Sequence, residues 1–563
     1  MTTQILKGLR VLDLSRMLSG PYCTMHLADH GAEVIKIEAG TGDTSRGNGP
    51  FREDDQSHDW SGYFVSLNRG KKSVQLDLKS DKGKEDFLQL AVTADVIVEN
   101  FRPGVMERLG LSYETLAARN EKLVYAAIRG FGDPRSGKSP YAEWPSYDVV
   151  AQAMGGLMAM TGPNTETPTK TGPGVGDIFA GMMLAFGIMA ALREAEATGR
   201  GQFVDVAMYD AMISLCERMV YLHDIAGIVP KPEGNGHPLL APFGLFPAKD
   251  GHVALGIVDD TFWCELTRLI DQPFLSTDPR FATLIARSQN SVELNKIISD
   301  WTSIHTKSQL TNLLGGKVPF GPLNTIVDIE HDPHVAMRQM LATVSNPDPS
   351  KKPWTVAANP IRFSAHEHGQ LSPPPALGAD NAIITELSLP TETSPETKQA
   401  LQTAFNSFVT GVTVVTSLQP NGKPIGFTTK SFTPVSIDPP LLLVCLDKAT
   451  VSFETFAHVD HFAINILANN QKEFTDLCVS NFHKKFNEAD WQLNLRNIPL
   501  LKGALINYSC VKNRLFNAGD HLVLLGQVLD FELQSGSPLC HYNDTYLDFD
   551  AEIPVGDKQK YKI

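Results

Sequence analysis

The pattern of strands and helices changes character twice along this chain, and that change limits the fold more than any single motif. "LRVLDL" (9–14), a helix opened by Pro21 and "AEVIKIE" (32–38) make a β-α-β unit. The alternation continues through "KSVQLDL", a helix near 81–92, "DVIVEN", "LVYAAIRG", helices from about 147 and from 178, and "QFVDVAM". Strands alternating with helices predict an α/β domain with a mostly parallel, Rossmann-like sheet. Between 226 and 330 the elements become shorter and mixed, as in a small α+β lobe, so the large lobe covers 1–225 and 331–385. The stretch "LSLPTETSPET" (387–397) has little to bury and reads as part of a linker over 386–397. Beyond it, over 398–563, runs such as "TGVTVVTS", "PIGFTTKSF", "PLLLVCLD", "HFAINIL" and "HLVLLGQVLDFEL" predict an antiparallel β barrel.

A chain of 563 residues is too long for one core, which agrees with at least two domains. The formal net charge of −14 disfavours nucleic acid and anionic membrane surfaces as partners, so an anionic ligand must be held by local groups. The 7 cysteines (Cys23, Cys216, Cys264, Cys445, Cys478, Cys510 and Cys540) form no CxxC pair. That dispersal points to reduced thiols in a cytoplasmic protein without a metal site or disulfide framework. The opening "MTTQILKGLRVLDLSR" lacks the plan of a signal peptide. The fifteen apolar residues Ile178–Leu192 are too few to span a bilayer and read as a buried helix.

The first turn, "SRMLSGPYC", lacks the G-x-G-x-x-G of a dinucleotide site, although Glu38 ends the second strand as such sites require. The stretch "GPGVGDIFAG" (172–181) carries more information. Asp177 stands at the head of an apolar helix, where a carboxylate ordinarily caps free N–H groups. Capping alone does not call for Gly172, Gly174 and Gly176 before it, or Ala180 and Gly181 after it. Those residues predict open space around the carboxylate, and the helix terminus predicts that it stays ionised.

Six segments in order, "VLDLSRMLSGPYCTMHLADHGAEVIKIE", "GDTSRG", "LNRGKKSVQLDLKSDKGKE", "ADVIVENFRPGVMERLGL", "SYDVVAQAMGGLM" and "TGPGVGDIFAGM", resemble the class III CoA-transferase family. That group includes formyl-CoA transferase, carnitine CoA-transferase and α-methylacyl-CoA racemase, and the similarity covers about 1–385. The resemblance implies an interlocked homodimer in which Asp177 attacks an acyl-CoA thioester. Acyl-aspartyl anhydride and aspartyl-CoA intermediates then carry coenzyme A to a carboxylic acid. It also implies coenzyme A contacts at Arg16, Leu18, Asn100, Phe101 and Arg108, with oxyanion support from the Gly176 N–H. Lys71 and Lys72 are candidate phosphate partners by charge; the alternative is a solvated turn. Ala39 and Leu18 replace an arginine and a glutamine of formyl-CoA transferase. Tyr147 stands where the racemases carry a histidine base, and because a phenol is a poor base at neutral pH it favours transferase over racemase chemistry. It then shapes the acyl site or packs at a helix start. His237 in "NGHPLLAPFGLF" either faces the acyl group or is structural.

The segment from "FVTGVTVVTS" to "NAGDHLVLLGQV" resembles the flavin reductase-like, FMN-binding split barrel over about 400–550. That resemblance implies FMN (or FAD) held by Thr428, Thr429 and Ser431 of "GFTTKSF", with Lys448 and Ser452 on the phosphate. It places His521 of the Gly-Asp-His run near the flavin and NAD(P)H, and Lys430 stands where the family has a small or amide residue. The whole chain then reads as a bifunctional fusion of CoA transfer and flavin reduction. Two alternatives are an acyl-CoA racemase or isomerase using Asp177 as acid/base, and a flavin domain that only binds or dimerises.

Overall fold

Six short apolar runs, β1 (Arg10–Asp13), β2 (Glu33–Glu38), β3 (Lys72–Gln75), β4 (Val96–Glu99), β5 (Val124–Arg129) and β6 (Phe203–Ala207), form one parallel sheet in the order β3-β2-β1-β4-β5-β6. This arrangement comes from a computed structural model that describes residues 5–366, 371–387, 395–478, 491–543, 545–548 and 559–562. Two compact units divide the chain, Met1–Leu389 and Pro390–Ile563. Every residue of β4 and β5 is buried, because helices cover both faces of a parallel sheet. One face packs Val11, Val34, Val96 and Ile128 against the helices Ser19–Asp29 and Val175–Thr198. The other packs Leu12, Ile35 and Ile97 against Phe87 and Leu90 of the helix Asp81–Val92. The strand order reverses between β1 and β4, which opens a crevice at their carboxyl ends.

Two helix starts differ from expectation. The first helix begins at Ser19, so Pro21 lies inside its first turn. The second, the long helix, begins at Val175 rather than 178 and runs for 24 residues. It is therefore long and apolar enough to cross a membrane, with a mean hydropathy of 1.9 over its apolar window. The fifteen-residue count missed Val175–Asp177 and the polar last turns. Ala180, Leu184, Ile188, Ala191 and Ala195, at helical spacing, set its buried stripe into the sheet core.

A small antiparallel sheet, β7 (Phe243–Ala248), β8 (Gly251–Gly256) and β9 (Phe320–Pro322), packs with helices around Trp263, Phe281 and Leu310. The chain then returns to the large sheet. Asp380 and Asn381 accept the Ser73 and Gln75 N–H groups, both at 2.8 Å, and so cover the exposed edge of β3.

In the second unit a helix spans Pro395–Asn406, so the end of the expected linker is helical, while 388–394 lie outside the described residues. Seven antiparallel strands follow in the spatial order 424–429, 413–418, 461–466, 506–518, 521–533, 440–447 and 433–437, and a final strand, Gln559–Lys562, pairs with the fifth of these. Alternating burial along His521–Leu533 gives this barrel one packed face.

Candidate active site

Asp13, at the carboxyl end of β1, anchors the loop that enters the crevice. Its carboxylate accepts the Thr24 hydroxyl at 2.7 Å, the Lys71 ammonium at 2.9 Å, and both the N–H and the hydroxyl of Ser15. Lys36 donates to the Ser15 carbonyl at 2.7 Å and pairs with Asp43 at 2.9 Å. Asp43 in turn accepts the Met17 N–H at 3.2 Å. All these charges are buried. Burial raises the Asp13 carboxyl, but Lys71 and Lys36 overcome it and hold the group well below the usual carboxylate range. The network fixes Met17 at φ +64, an uncommon conformation for a side-chain-bearing residue, and this presents Arg16 and Leu18 on either side.

Arg16 and Asn100 join across the β1–β4 reversal. The Arg16 N–H reaches Asn100 Oδ1 at 2.9 Å, and Asn100 Nδ2 returns to the Arg16 carbonyl at 2.8 Å. The Arg16 guanidinium lies 5.5 Å from the Phe101 ring centre. Asn100 also reaches the Ser19 hydroxyl at 3.3 Å, and Ser19 hydrogen-bonds Asp177. Three sequence-predicted positions are thus tied to the carboxylate through Ser19, a residue that sequence reasoning missed. Leu18 touches the same turn, since a Cβ on Gly174 would lie 2.8 Å from its Cδ2.

Asp177 is not the helix cap. Gly174 occupies that place, and Asp177 sits in the first turn, half-buried. Burial and the neighbouring Asp148 charge raise its carboxyl to about 6, against hydrogen bonds from the Ser19 hydroxyl and the Asp148 N–H. Burial and Asp148 thus outweigh the effects that favour the charged form, yet at neutral pH the group remains mostly ionised. The surrounding glycines also act differently. A Cβ on Gly181 would lie 2.5 Å from the Ser19 carbonyl, and one on Gly176 would lie 3.0 Å from the Asp148 carbonyl. They permit close packing, whereas Gly172 alone of the three before Asp177 faces open space.

Asp148 organises this turn. It accepts the Gly176 N–H at 2.8 Å and the Gln152 amide at 2.9 Å, and the Lys170 ammonium lies 3.7 Å away. The Gly176 N–H assigned to an oxyanion is therefore already committed to Asp148. Tyr63 belongs to the same field; burial, then Asp177, Asp43 and Asp148, push its hydroxyl up to about 12. Asp148 follows Tyr147 directly in sequence, and its place beside that position was the only signal available for it. Nothing comparable marked Ser19 or Tyr63.

Other predicted positions lie elsewhere. Lys71 is sealed between Asp13, Asn68 and the Pro21 carbonyl, and burial, partly offset by Asp13, lowers its ammonium to about 8. It cannot reach a phosphate. Lys72 pairs with Glu33 at 2.6 Å, at the amino end of the sheet and opposite the crevice. Glu38 is held by Arg46 through two contacts of 2.7 and 2.8 Å, which removes it as a ribose-binding acid. Tyr147 is the exposed residue before the helix Asp148–Met154, and Arg108 is exposed with its guanidinium beside Gly104. His237 Nδ1 accepts the Leu239 N–H at 3.1 Å, and its ring packs near Phe243.

In the second unit, Thr428, Thr429, Ser431 and His521 line one cavity of about 530 Å³ with Phe405, Phe427, Lys430, His541 and Tyr546. The Thr429 and Ser431 hydroxyls are engaged with the facing strand. The Cys445 N–H donates to Ser431 Oγ at 2.7 Å, and both hydroxyls lie 3.3 Å from its carbonyl. They stitch together two strands that no backbone ladder joins, and so close the split in the barrel. Lys430 Nζ lies 3.0 Å from His541 Nε2. His521 Nδ1 meets Asp520 at 2.7 Å, which orients the ring. Lys448 instead donates to the Gly519 carbonyl at 2.6 Å, and Ser452 is buried ahead of the helix Phe453–His458; neither lines the cavity. The volume, the aromatic walls and the Lys430 ammonium fit a flavin-sized ligand.

A half-buried carboxyl in the first turn of a helix packed on a six-stranded parallel sheet, followed by an antiparallel barrel with its own cavity, defines a two-part protein of α/β and β architecture. Residues 6–381 match CoA-transferase family III, and the chain belongs to that family; residues 405–550 match the flavin reductase like domain. The chain is 46% identical over 359 residues to succinyl-CoA:mesaconate CoA-transferase of Haloarcula hispanica, which covers 64% of this chain and 90% of that one. It is 36% identical over 387 residues to succinyl-CoA–D-citramalate CoA-transferase of Chloroflexus aurantiacus, covering 68% and 94%. A CAIB/BAIF family protein from Brucella suis superposes with a TM-score of 0.61 at 36% identity, covering 69% of this chain and 100% of that one.

Proposed function

We propose that residues 1–385 transfer CoA from succinyl-CoA to a four- or five-carbon dicarboxylic acid, with Asp177 as nucleophile. The carboxyl of Asp177, held by Ser19 and the Asp148 N–H within the crevice, carries this reading. Its carboxylate adds to the thioester carbonyl, the C–S bond breaks, and CoA thiolate leaves an acyl-aspartyl anhydride. The thiolate then attacks the aspartyl carbonyl, expelling the donor acid and forming an aspartyl-CoA thioester. The acceptor carboxylate displaces the thiolate, which finally attacks the new acyl group and regenerates Asp177. Arg16, Leu18, Asn100, Phe101 and Arg108 hold CoA, and Tyr147 borders the acyl group. The names of the relatives supply the substrate class.

The protein works as a cytoplasmic homodimer. Exposed Phe186, Ile225 and Val229, at 72%, 80% and 68% exposure, support an apolar interface. Residues 398–563 bind FMN or FAD in the cavity and oxidise NAD(P)H. Bound flavin would accept hydride there, while His521 and His541 orient it and Lys430 presents charge at its rim. Incubation with succinyl-CoA and hydroxylamine should inactivate the protein and leave a mass adduct on Asp177. An unmodified, fully active protein would refute the nucleophile. A carboxyl raised to about 6 beside Asp148 also suits proton transfer, and so favours a racemase or isomerase as second reading. Deuterium entering the α-carbon without any acceptor acid would select it.

A further inference from the structure

A dicarboxylic acyl group brings a further carboxylate into a site that already holds Asp177 and Asp148, in a chain of net charge −14. Two like charges about 5 Å apart repel by roughly 3 kcal/mol at an effective dielectric near 20, so this substrate requires a cation at hand. Lys36 and Lys71 are sealed beneath β1 in salt bridges, and Arg16 lies over Phe101 on the proposed CoA side.

Lys170 is placed differently. Its ammonium is 3.7 Å from Asp148 Oδ2, and its side chain is 43% exposed. Its hydrogen bonds run to neutral acceptors, the carbonyls of Thr171 at 2.7 Å and Gly172 at 3.4 Å. A carboxylate is a stronger acceptor than a peptide carbonyl and can displace both. The backbone that carries Lys170 is anchored to the site, because the Thr171 N–H and hydroxyl both reach Gln152 Oε1 at 3.1 Å. Gln152 is the residue that holds Asp148. A Cβ on Gly172 would find nothing within 4 Å, so there is room beside the ammonium.

We propose that Lys170 receives the distal carboxylate of the acyl group and of the acceptor acid, and that it sets the preference for dicarboxylates. This rests on the transferase reading of Asp177. Glutarate and valerate form a matched pair of acceptors, differing in the distal carboxylate alone, and both are assayed with succinyl-CoA as donor. In Lys170→Met the glutarate-to-valerate ratio of kcat/KM should fall about 10–100-fold, with the loss in the glutarate KM, and Lys170→Arg should restore most of it. Equal loss on both acids would mean that Lys170 acts only through Asp148, and it overturns the proposal. A wild-type preference for glutarate that survives Lys170→Met also overturns it, but leaves the dicarboxylate reading standing. A wild-type enzyme that takes valerate as readily as glutarate removes the dicarboxylate reading and Lys170's role together.

Discussion

The turn at 172–176 and the turn at 426–431 are the strongest motifs of their units, and they use small residues in opposite ways. In the first, Gly174, Gly176 and the nearby Gly181 give up side chains so that the long helix can press against Leu18, Asp148 and Ser19. Close packing brings one carboxyl, Asp177, to its partners. In the second, Thr429 and Ser431 contribute hydroxyls that join two strands across the barrel split, and the turn itself becomes a cavity wall. A parallel sheet leaves its crevice beyond the strand ends, so loops must be packed around a reactive group. An antiparallel barrel encloses its cavity with the strands themselves. Damage to the first turn should therefore appear as lost chemistry, and damage to the second as weaker closure and binding.

The sharpest way to break this contrast is Asp177→Ala. Transferase activity should fall by at least about 10⁴-fold, as expected when a covalent nucleophile is removed. NADH oxidation with added FMN, assayed on the same preparation, should stay within about twofold. Parallel loss of both activities would show that the two turns are not independent.

Next in size is the floor beneath the crevice. Lys71→Met leaves Asp13 buried without its closest cation, which should cost about 3–5 kcal/mol in urea unfolding of the transferase unit. Lys72→Met removes a half-exposed pair with Glu33 and should cost less than about 1 kcal/mol. Similar losses from the two neighbours would contradict the burial that separates them.

That pair of lysines also shows where sequence reasoning stops. The β-α-β alternation, the barrel strands and the place of Asp177 at the head of the long helix were all legible, because hydrophobic period and glycine spacing are local signals. The fates of Lys71 and Lys72 were not, since "GKKS" is the same charge run whether one ammonium turns inward to Asp13 or not. Asp177's environment was legible only in part. The helix start was visible, but the raised carboxyl depends on Asp148, twenty-nine positions away, and on burial. In the barrel the motif hydroxyls were visible, while their bonds to Cys445 and the meeting of Lys430 with His541 depend on strand order.

The raised Asp177 carboxyl makes a pH prediction whose sign is fixed. Attack requires the ionised form, so kcat/KM for the acyl-CoA should be flat above about pH 6 and fall roughly tenfold per unit below it. Asp148→Asn removes the like charge and should move this acid limb down by as much as about one unit. For stability, a carboxyl raised in the fold contributes fully at low pH and loses that contribution as pH rises through 6. Asp177→Asn should therefore stabilise the transferase unit by about 1–3 kcal/mol at pH 7 and by little at pH 4. A gain equal at both pH values would point to packing rather than charge.

The smallest effect tests the second turn. Ser431→Ala removes the hydroxyl that accepts the Cys445 N–H and leaves that donor without its partner. The expected cost is about 1–2 kcal/mol in unfolding of the barrel unit. Because the same bond closes the split, flavin affinity measured by fluorescence quenching should weaken by a few-fold, with Asp177-dependent transfer untouched. Thr429→Val should behave alike but more mildly, since its contact with the Cys445 carbonyl is longer, at 3.3 Å. Flavin affinity lost without any loss of stability would mean that the hydroxyl bonds the flavin rather than the barrel. The two turns would then resemble each other more than their packing suggests, each delivering a functional group directly to its ligand.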